Sequence, residues 1–371
     1  MEFAMRPFSF AWFVLPAAVC AARPAFAQSL DPMDIRACTA IQNDAQRLAC
    51  YDRVTHRDET AAAEQKLAEQ RRAEQKQADE GVRKTGVFRQ VKPETETAAP
   101  LPRSLLNSRW ELDSDSKLGT FNLRSYQPVY VMPLFATSRQ NSLPYSPNPA
   151  NAVTDRQHLD NIEAKFQLSL KAKIWQGVFD DAGDLWVGYT QSSRWQVYNV
   201  PQSRPFRETD YEPEALLVFG THYHVLGWNG RLFDIGIDHQ SNGRSDPFSR
   251  SWNRIVADFG FERDGWMLRL RPWWRIPEAR DDDNNPYIAD YVGRGEMQLL
   301  HFWNDQEFNL TLRHSLRGGD KSRGSARLSW SFPLHGNLRG YVETFSGYGE
   351  SLIDYNHAAT YLGFGLSLLD W

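Results

Sequence analysis

Only three cysteines occur in 371 residues, and none stands at a zinc-ligand spacing. An excess of charge of one sign is also missing. The 42 Lys and Arg against 46 Asp and Glu leave a net −4, too mild to argue for nucleic acid as a partner. Beyond the amino terminus no long apolar run appears, and mean hydropathy is −0.57, which excludes a membrane-spanning helix. A membrane barrel is not excluded, because its strands expose apolar side chains only at alternate positions and keep the average low.

The chain opens MEFAMRPFSFAWFVLPAAVCAARPAFAQ, with Arg6, a short apolar run and Ala25-Phe26-Ala27 ahead of Gln28. This reads as a secretory signal peptide over 1–27. A lipidated Cys20 is the alternative, for which Val19 is a poor preceding residue. Cleavage leaves Cys38 and Cys50 in CTAIQNDAQRLACYD. In an oxidising periplasm they are expected to bridge a small helical hairpin, two buried free thiols being the other reading. Residues 57–84 are rich in Ala, Glu, Gln, Lys and Arg, with Leu67 the only sizeable apolar residue in the middle. High helix propensity without an apolar stripe predicts a solvated or weakly associating helix and no coiled coil. KPETETAAPLPRS at 92–104 is a proline-containing linker. Residues 28–104 thus form a periplasmic extension, helical or disordered, with no recognisable chemistry. A tether is one use for it.

From Gln127 onward, alternating segments occur at about 127–135, 163–173, 184–193, 214–226, 231–241, 251–262, 266–275, 291–302, 307–316, 324–333, 337–346 and 358–371. Phe308, Leu310 and Leu312 oppose Glu307, Asn309, Thr311 and Arg313; Trp266, Leu268 and Leu270 oppose Arg269, Arg271 and Arg275. In a membrane barrel the apolar set faces lipid and the charged set fills the interior. The expected fold is all-β: a twelve-stranded antiparallel transmembrane barrel over 105–371. Short links at 227–230, 263–265 and 303–306 alternate with long ones at 136–162, 194–213, 242–250, 276–290 and 347–357. Short turns belong to the periplasm, which puts both termini there and the 242–250 loop outside the cell. The thirteen tryptophans suit interfacial girdles. The carboxyl-terminal Trp371 resembles the signal read by the outer-membrane assembly machinery.

Candidate chemistry lies in RLFDIGIDHQSNGRSDPFSRSWNRIVADFGF, residues 231–261. His239 and Ser241 share parity with Phe233, Ile235 and Ile237, and Asn253 shares parity with Ile255, Ala257 and Phe259. All three therefore project from apolar faces. If the two segments pair across the loop, hydroxyl, imidazole and amide converge as nucleophile, base and orienting group. Polar groups on an apolar stripe are costly unless paired. An amide in place of a carboxylate keeps an ionised group out of the lipid belt. Gly243, which can adopt the turn that presents its N–H, is the candidate oxyanion donor.

HQSNGRSDPFSRSWNR (239–254), PFRETDYEPE (205–214) and SGYGESLIDYN (346–356) together resemble the outer-membrane phospholipase A family, barrel enzymes of Gram-negative bacteria. The likeness runs from about Tyr126 to Trp371. It implies hydrolysis of phospholipid acyl esters (A1, A2 and lysophospholipase) by Ser241, His239 and Asn253 at the outer leaflet. It also implies a calcium ion held by Arg244 carbonyl, Ser249 hydroxyl, the Asp246 carboxylate and, from a second subunit, the Ser203 carbonyl. Activation by homodimerisation, with Gln191 at the interface, follows from the same likeness, with a lumen or rim glutamine as the alternative. Asp246 is equally a turn residue in Ser-Asp-Pro. Arg204 beside Ser203 departs from the family pattern. The run DDDNNP at 281–286 reads as a solvated loop, not a second cation site. Two rivals stand beside this reading: a non-enzymatic barrel such as a porin or anchor, and a soluble sandwich esterase.

Overall fold

The computed structural model describes residues 36, 38–54, 104–180 and 182–369. The leader, the charged run at 57–84, almost all of the 92–104 linker and Trp371 lie outside them. In the amino-terminal unit, helix α1 (Asp44–Val54) has no buried residue. Cys50 on α1 is disulfide-bonded to Cys38, with Cα atoms 5.6 Å apart. The expected bridge is present, and it ties a stretch too short to build a core of its own.

In the second unit, strands β2 (Val129–Thr137), β3 (Ile162–Trp175), β4 (Asp184–Trp195), β5 (Glu208–Val225), β6 (Trp228–Ser241) and β7 (Ser251–Arg263) pair antiparallel in sequence order. β8 (Trp266–Arg275), β9 (Gly295–Trp303), β10 (Gln306–His314), β11 (Gly324–His335), β12 (Leu338–Tyr348) and β13 (Ala358–Leu369) continue the order. β13 then pairs with β2. The sheet closes on itself as the twelve-stranded barrel the alternation predicts, with no edge left to cap. This rules out the sandwich. A three-residue strand, β1 (Leu123–Ser125), extends the β2 side of β3 and is too short to show a period.

At one end of the barrel the hairpins are tighter than the sequence suggests, because the strands run further. Turns at 226–227, 264–265 and 304–305 have two residues each, both at positive φ (49° and 82°, 45° and 80°, 47° and 60°). That is the turn geometry whose twist matches the flanking strands. The long loops gather at the opposite end.

Side chains sort as the parity requires. Ile235, Ile237, Ile255, Leu270, Leu328 and Leu362 are exposed on the outside, while Asp234, Asp238, Asp258, Arg269 and Arg271 are buried inside. Inside, Arg269 pairs with Asp258 at 2.6 Å and Lys165 with Glu343 at 2.7 Å. Oxygens of Glu212, Glu214 and Asp238 converge, and each carboxylate is paired with Arg254 or Arg271. The packed lumen leaves a cavity of about 140 Å³, room for a handful of waters and not for a pore. Tryptophan divides between the faces. Trp175, Trp266, Trp274 and Trp303 are exposed at or next to strand ends, whereas Trp110, Trp186, Trp252 and Trp273 are buried. Among the described residues the first set suits the girdle reading and the buried set does not.

Helix α2 (Leu105–Trp110) was not expected. Ser104 caps it by accepting from Asn107 N at 3.0 Å, and Leu106 and Trp110 are buried against Leu232 and Trp186. The segment supplies interior apolar packing that strands alone leave out.

Candidate active site

β6 and β7 set His239 directly opposite Asn253 in the ladder, with Ser241 opposite Ser251 one step nearer the loop. The inward neighbours Asp238 and Arg254 are buried and salt-bridged at 2.8 Å. The outward set carries exposed Ile237, Ile255 and His239. The sequence-predicted site therefore lies on the apolar exterior. His239 Nδ1 and Asn253 Oδ1 are 2.8 Å apart, which fixes Nδ1 as the protonated nitrogen because the amide oxygen can only accept. Among the described residues no hydrogen bond joins the Ser241 hydroxyl to the ring. Residues two apart on one strand face lie about 7 Å apart along it, so His239 and Ser241 are neighbours on this face. Catalytic contacts of this kind commonly tighten only when substrate is bound.

The 242–250 loop is held by a residue the sequence did not single out. Asn242 Oδ1 accepts from Arg250 N at 2.9 Å, and its Nδ2 donates to Phe248 O at 2.8 Å and to Glu208 at 3.1 Å. Glu208 belongs to the 205–214 motif and also accepts from Ile353 N of the 346–356 motif. The three motifs thus meet beneath one loop. Gly243 follows at φ +60°, and a Cβ there would sit 3.1 Å from the Tyr211 ring. Its N–H meets no acceptor among the described residues.

Oxygen donors cluster on this loop. Asp246 Oδ1 accepts from Asn151 Nδ2 at 2.6 Å and Ser249 Oγ from Asn284 Nδ2 at 3.1 Å, and Asp246 is exposed. Arg244 Nη1 donates to Arg207 O at 2.9 Å. Ser203 lies on a different long loop, its carbonyl accepting from Trp195 Nε1 at 2.9 Å; Arg204 beside it is exposed. Arg244, Asp246 and Ser249 thus lie on one long loop and Ser203 on another.

The acidic run corrects its expectation. Asp281 and Asp282 are exposed, but Asp283 pairs with Arg275 at 2.7 Å, and Asn284 and Asn285 both accept from Ser251 N at 2.9 Å. A loop whose Asn284 and Asn285 side-chain oxygens accept from the main-chain N–H of the first residue of β7 is structural support for the site, not solvated chain. From the same loop Glu278 Oε1 accepts from Asn253 Nδ2 at 3.3 Å. Burial pushes the Glu278 carboxyl above the ordinary carboxylate range, with Arg275 pulling against it. Gln191 is on the outer face of β4, not in the lumen. It accepts from Tyr189 OH at 3.1 Å and contacts Ser193 at 3.4 Å.

The phospholipase A1 family profile matches residues 106–368. The chain belongs to the phospholipase A1 family. A Neisseria meningitidis serogroup B protein provisionally named phospholipase A1 is 37% identical over 350 residues, 90% of each chain. Phospholipase A1 of Escherichia coli K12 is 40% identical over 208 residues, 56% of this chain and 70% of the relative. The structure of outer membrane phospholipase A from E. coli superposes with a TM-score of 0.60 at 36% identity, covering 67% of this chain and 94% of that one. The outer membrane phospholipase of Salmonella typhi, a dimer with bound calcium, gives a TM-score of 0.59 at 35% identity over 67% and 93%. An active-site mutant of the E. coli enzyme, asparagine to alanine, gives 0.61 at 34% over 72% and 99%. This member of the family is an outer-membrane β-barrel phospholipase.

Proposed function

We propose that the chain cleaves phospholipid acyl esters with Ser241 as nucleophile, His239 as general base and acid, and Asn253 as the orienting amide, at the outer-leaflet level of the barrel. One observation carries this: an imidazole and an amide hydrogen-bonded at 2.8 Å on a surface otherwise built for hydrocarbon, with a serine on the same face. Ser241 Oγ forms a bond to the ester carbonyl carbon as its proton passes to His239 Nε2. The carbonyl π pair moves onto oxygen, toward the Gly243 N–H. Collapse breaks the ester C–O bond, and the lysophospholipid leaves with the proton from His239. Water then releases the fatty acid by the same two proton transfers. Asn253 holds the ring in the tautomer whose Nε2 is basic.

The oxygen donors on the loop fit a calcium ion: Arg244 carbonyl, Ser249 Oγ, Asp246 and the partner subunit's Ser203. Bound there, calcium supplies positive potential to the developing oxyanion. The calcium-bound dimer of the Salmonella relative supports both the ion and a homodimer. Gln191, a polar group on the lipid-facing surface of β4, suits a contact between barrels. The long-loop end, carrying 242–250, is outside the cell and the short turns and both termini are periplasmic, in keeping with the general loop asymmetry of such barrels.

Refolded protein in mixed micelles is expected to lose hydrolysis to background with EDTA and regain it with calcium, while chemical cross-linking traps dimers only in calcium and substrate. Chelator-insensitive hydrolysis would remove the calcium reading. Asn253→Ala is expected to lower kcat by about 10²-fold with KM little changed; an unaltered kcat would remove Asn253 from the mechanism.

A further inference from the structure

The strand register places Ile276 next to Asn253, and Ile276 N donates to Asn253 O at 2.8 Å. Two residues on, at the same parity as exposed Trp274, Glu278 brings a carboxylate oxygen to 3.3 Å from Asn253 Nδ2. Its other oxygen lies 3.4 Å from Arg275 Nη2, and Arg275 is anchored by Asp283 at 2.7 Å. Asn253 and Arg275 are therefore the groups facing this carboxyl, with Asp283 behind the arginine.

An asparagine amide has two nearly isosteric ends, and turned over it would present N–H to the imidazole N–H and lose the bond. A carboxylate at Nδ2 removes that ambiguity, since it accepts and does not donate. We propose that Glu278 is a positioning residue for the hydrolysis, locking the Asn253 amide with its oxygen toward His239 Nδ1 and polarising it toward the ring. The charge sits one amide removed from the imidazole, out on a loop where Arg275 offsets it, so the site gains a carboxylate's support without placing it on the hydrocarbon belt.

The inference rests on the Ser241–His239–Asn253 reading, and the test separates the two. Initial rates of calcium-dependent hydrolysis of a short-chain phosphatidylcholine in micelles are measured for wild type, Ser241→Ala, Asn253→Ala, Glu278→Ala, Glu278→Gln and the Asn253→Ala/Glu278→Ala double variant. Heat-modifiable migration verifies the folded barrel of each. Glu278→Ala is expected to lower kcat about tenfold at unchanged KM. Glu278→Gln, which keeps an acceptor oxygen, restores kcat to within about threefold of wild type. The double variant is no slower than Asn253→Ala alone, the signature of one residue acting through the other. Additive losses, a glutamine variant as slow as alanine, or wild-type kcat in Glu278→Ala would overturn the role of Glu278 while leaving the Ser241 reading intact. Equal rates for wild type and Ser241→Ala would instead overturn the reading beneath it.

Discussion

Ser241→Ala is expected to abolish measurable turnover, with kcat down by at least about 10³-fold, because it removes the proposed nucleophile, the hydroxyl two residues from His239 on the same strand face. The substitution removes one hydroxyl from a half-buried position that donates to and accepts from no described residue, so the barrel should fold and migrate as wild type. Release of fatty acid from micellar phospholipid, followed by titration, reads the effect. The His239 ring and its 2.8 Å bond to Asn253 remain, so the variant isolates the nucleophile from the geometry around it. Turnover within a few-fold of wild type would take Ser241 out of the reaction.

Glu350→Ala is expected to destabilise the fold strongly. Glu350, in the loop at 349–357, is 3% exposed. It accepts from Arg194 Nε at 2.9 Å and Nη2 at 3.0 Å, and pairs with Lys165 at 2.8 Å. Removing one carboxylate strands parts of two buried cations, and breaking a buried pair in this way costs about 3–5 kcal/mol. Asp210 and Glu343 retain one partner role each, which sets the lower end of the range. Denaturant unfolding in detergent micelles measures it, and a loss under about 1 kcal/mol would mean water reaches the pair. Burial raises the Glu350 carboxyl, but Arg194 and Lys165 outweigh it and hold the group well below the usual carboxylate range. A depressed folded value means stability that is present above the unfolded value, about pH 4.3, and lost as pH falls toward the folded one. Wild type should therefore lose stability on acidification below about pH 4 more steeply than Glu350→Ala.

The two remote motifs are explained by these contacts. Arg194 bridges Asp210 of 205–214 to Glu350 of 346–356, Arg207 pairs with Asp354, and Glu208 accepts from both Ile353 N and Asn242 Nδ2. They hold the loop that carries Gly243 and Arg244. Their spacing in the chain follows no local period, so the sequence marks them only through family likeness. Asn242 is hidden for a related reason: an asparagine after a strand reads as an ordinary turn residue.

What the sequence determined by itself is whatever depends on a period of two. Twelve strands, the lipid-facing and inward sets, and the common face of His239, Ser241 and Asn253 all follow from parity, because successive side chains of a strand must leave opposite faces. What only the tertiary structure decided is everything brought together by closure of the sheet. That includes helix α2 packed inside, the buried tryptophans, the ion pairs beneath the 242–250 loop, and the fold-back of 276–285 that places Glu278 and Asn284 against β7 and its loop. These contacts join residues far apart in the chain whose meeting is fixed by strand register around a closed barrel, and no local pattern encodes that register.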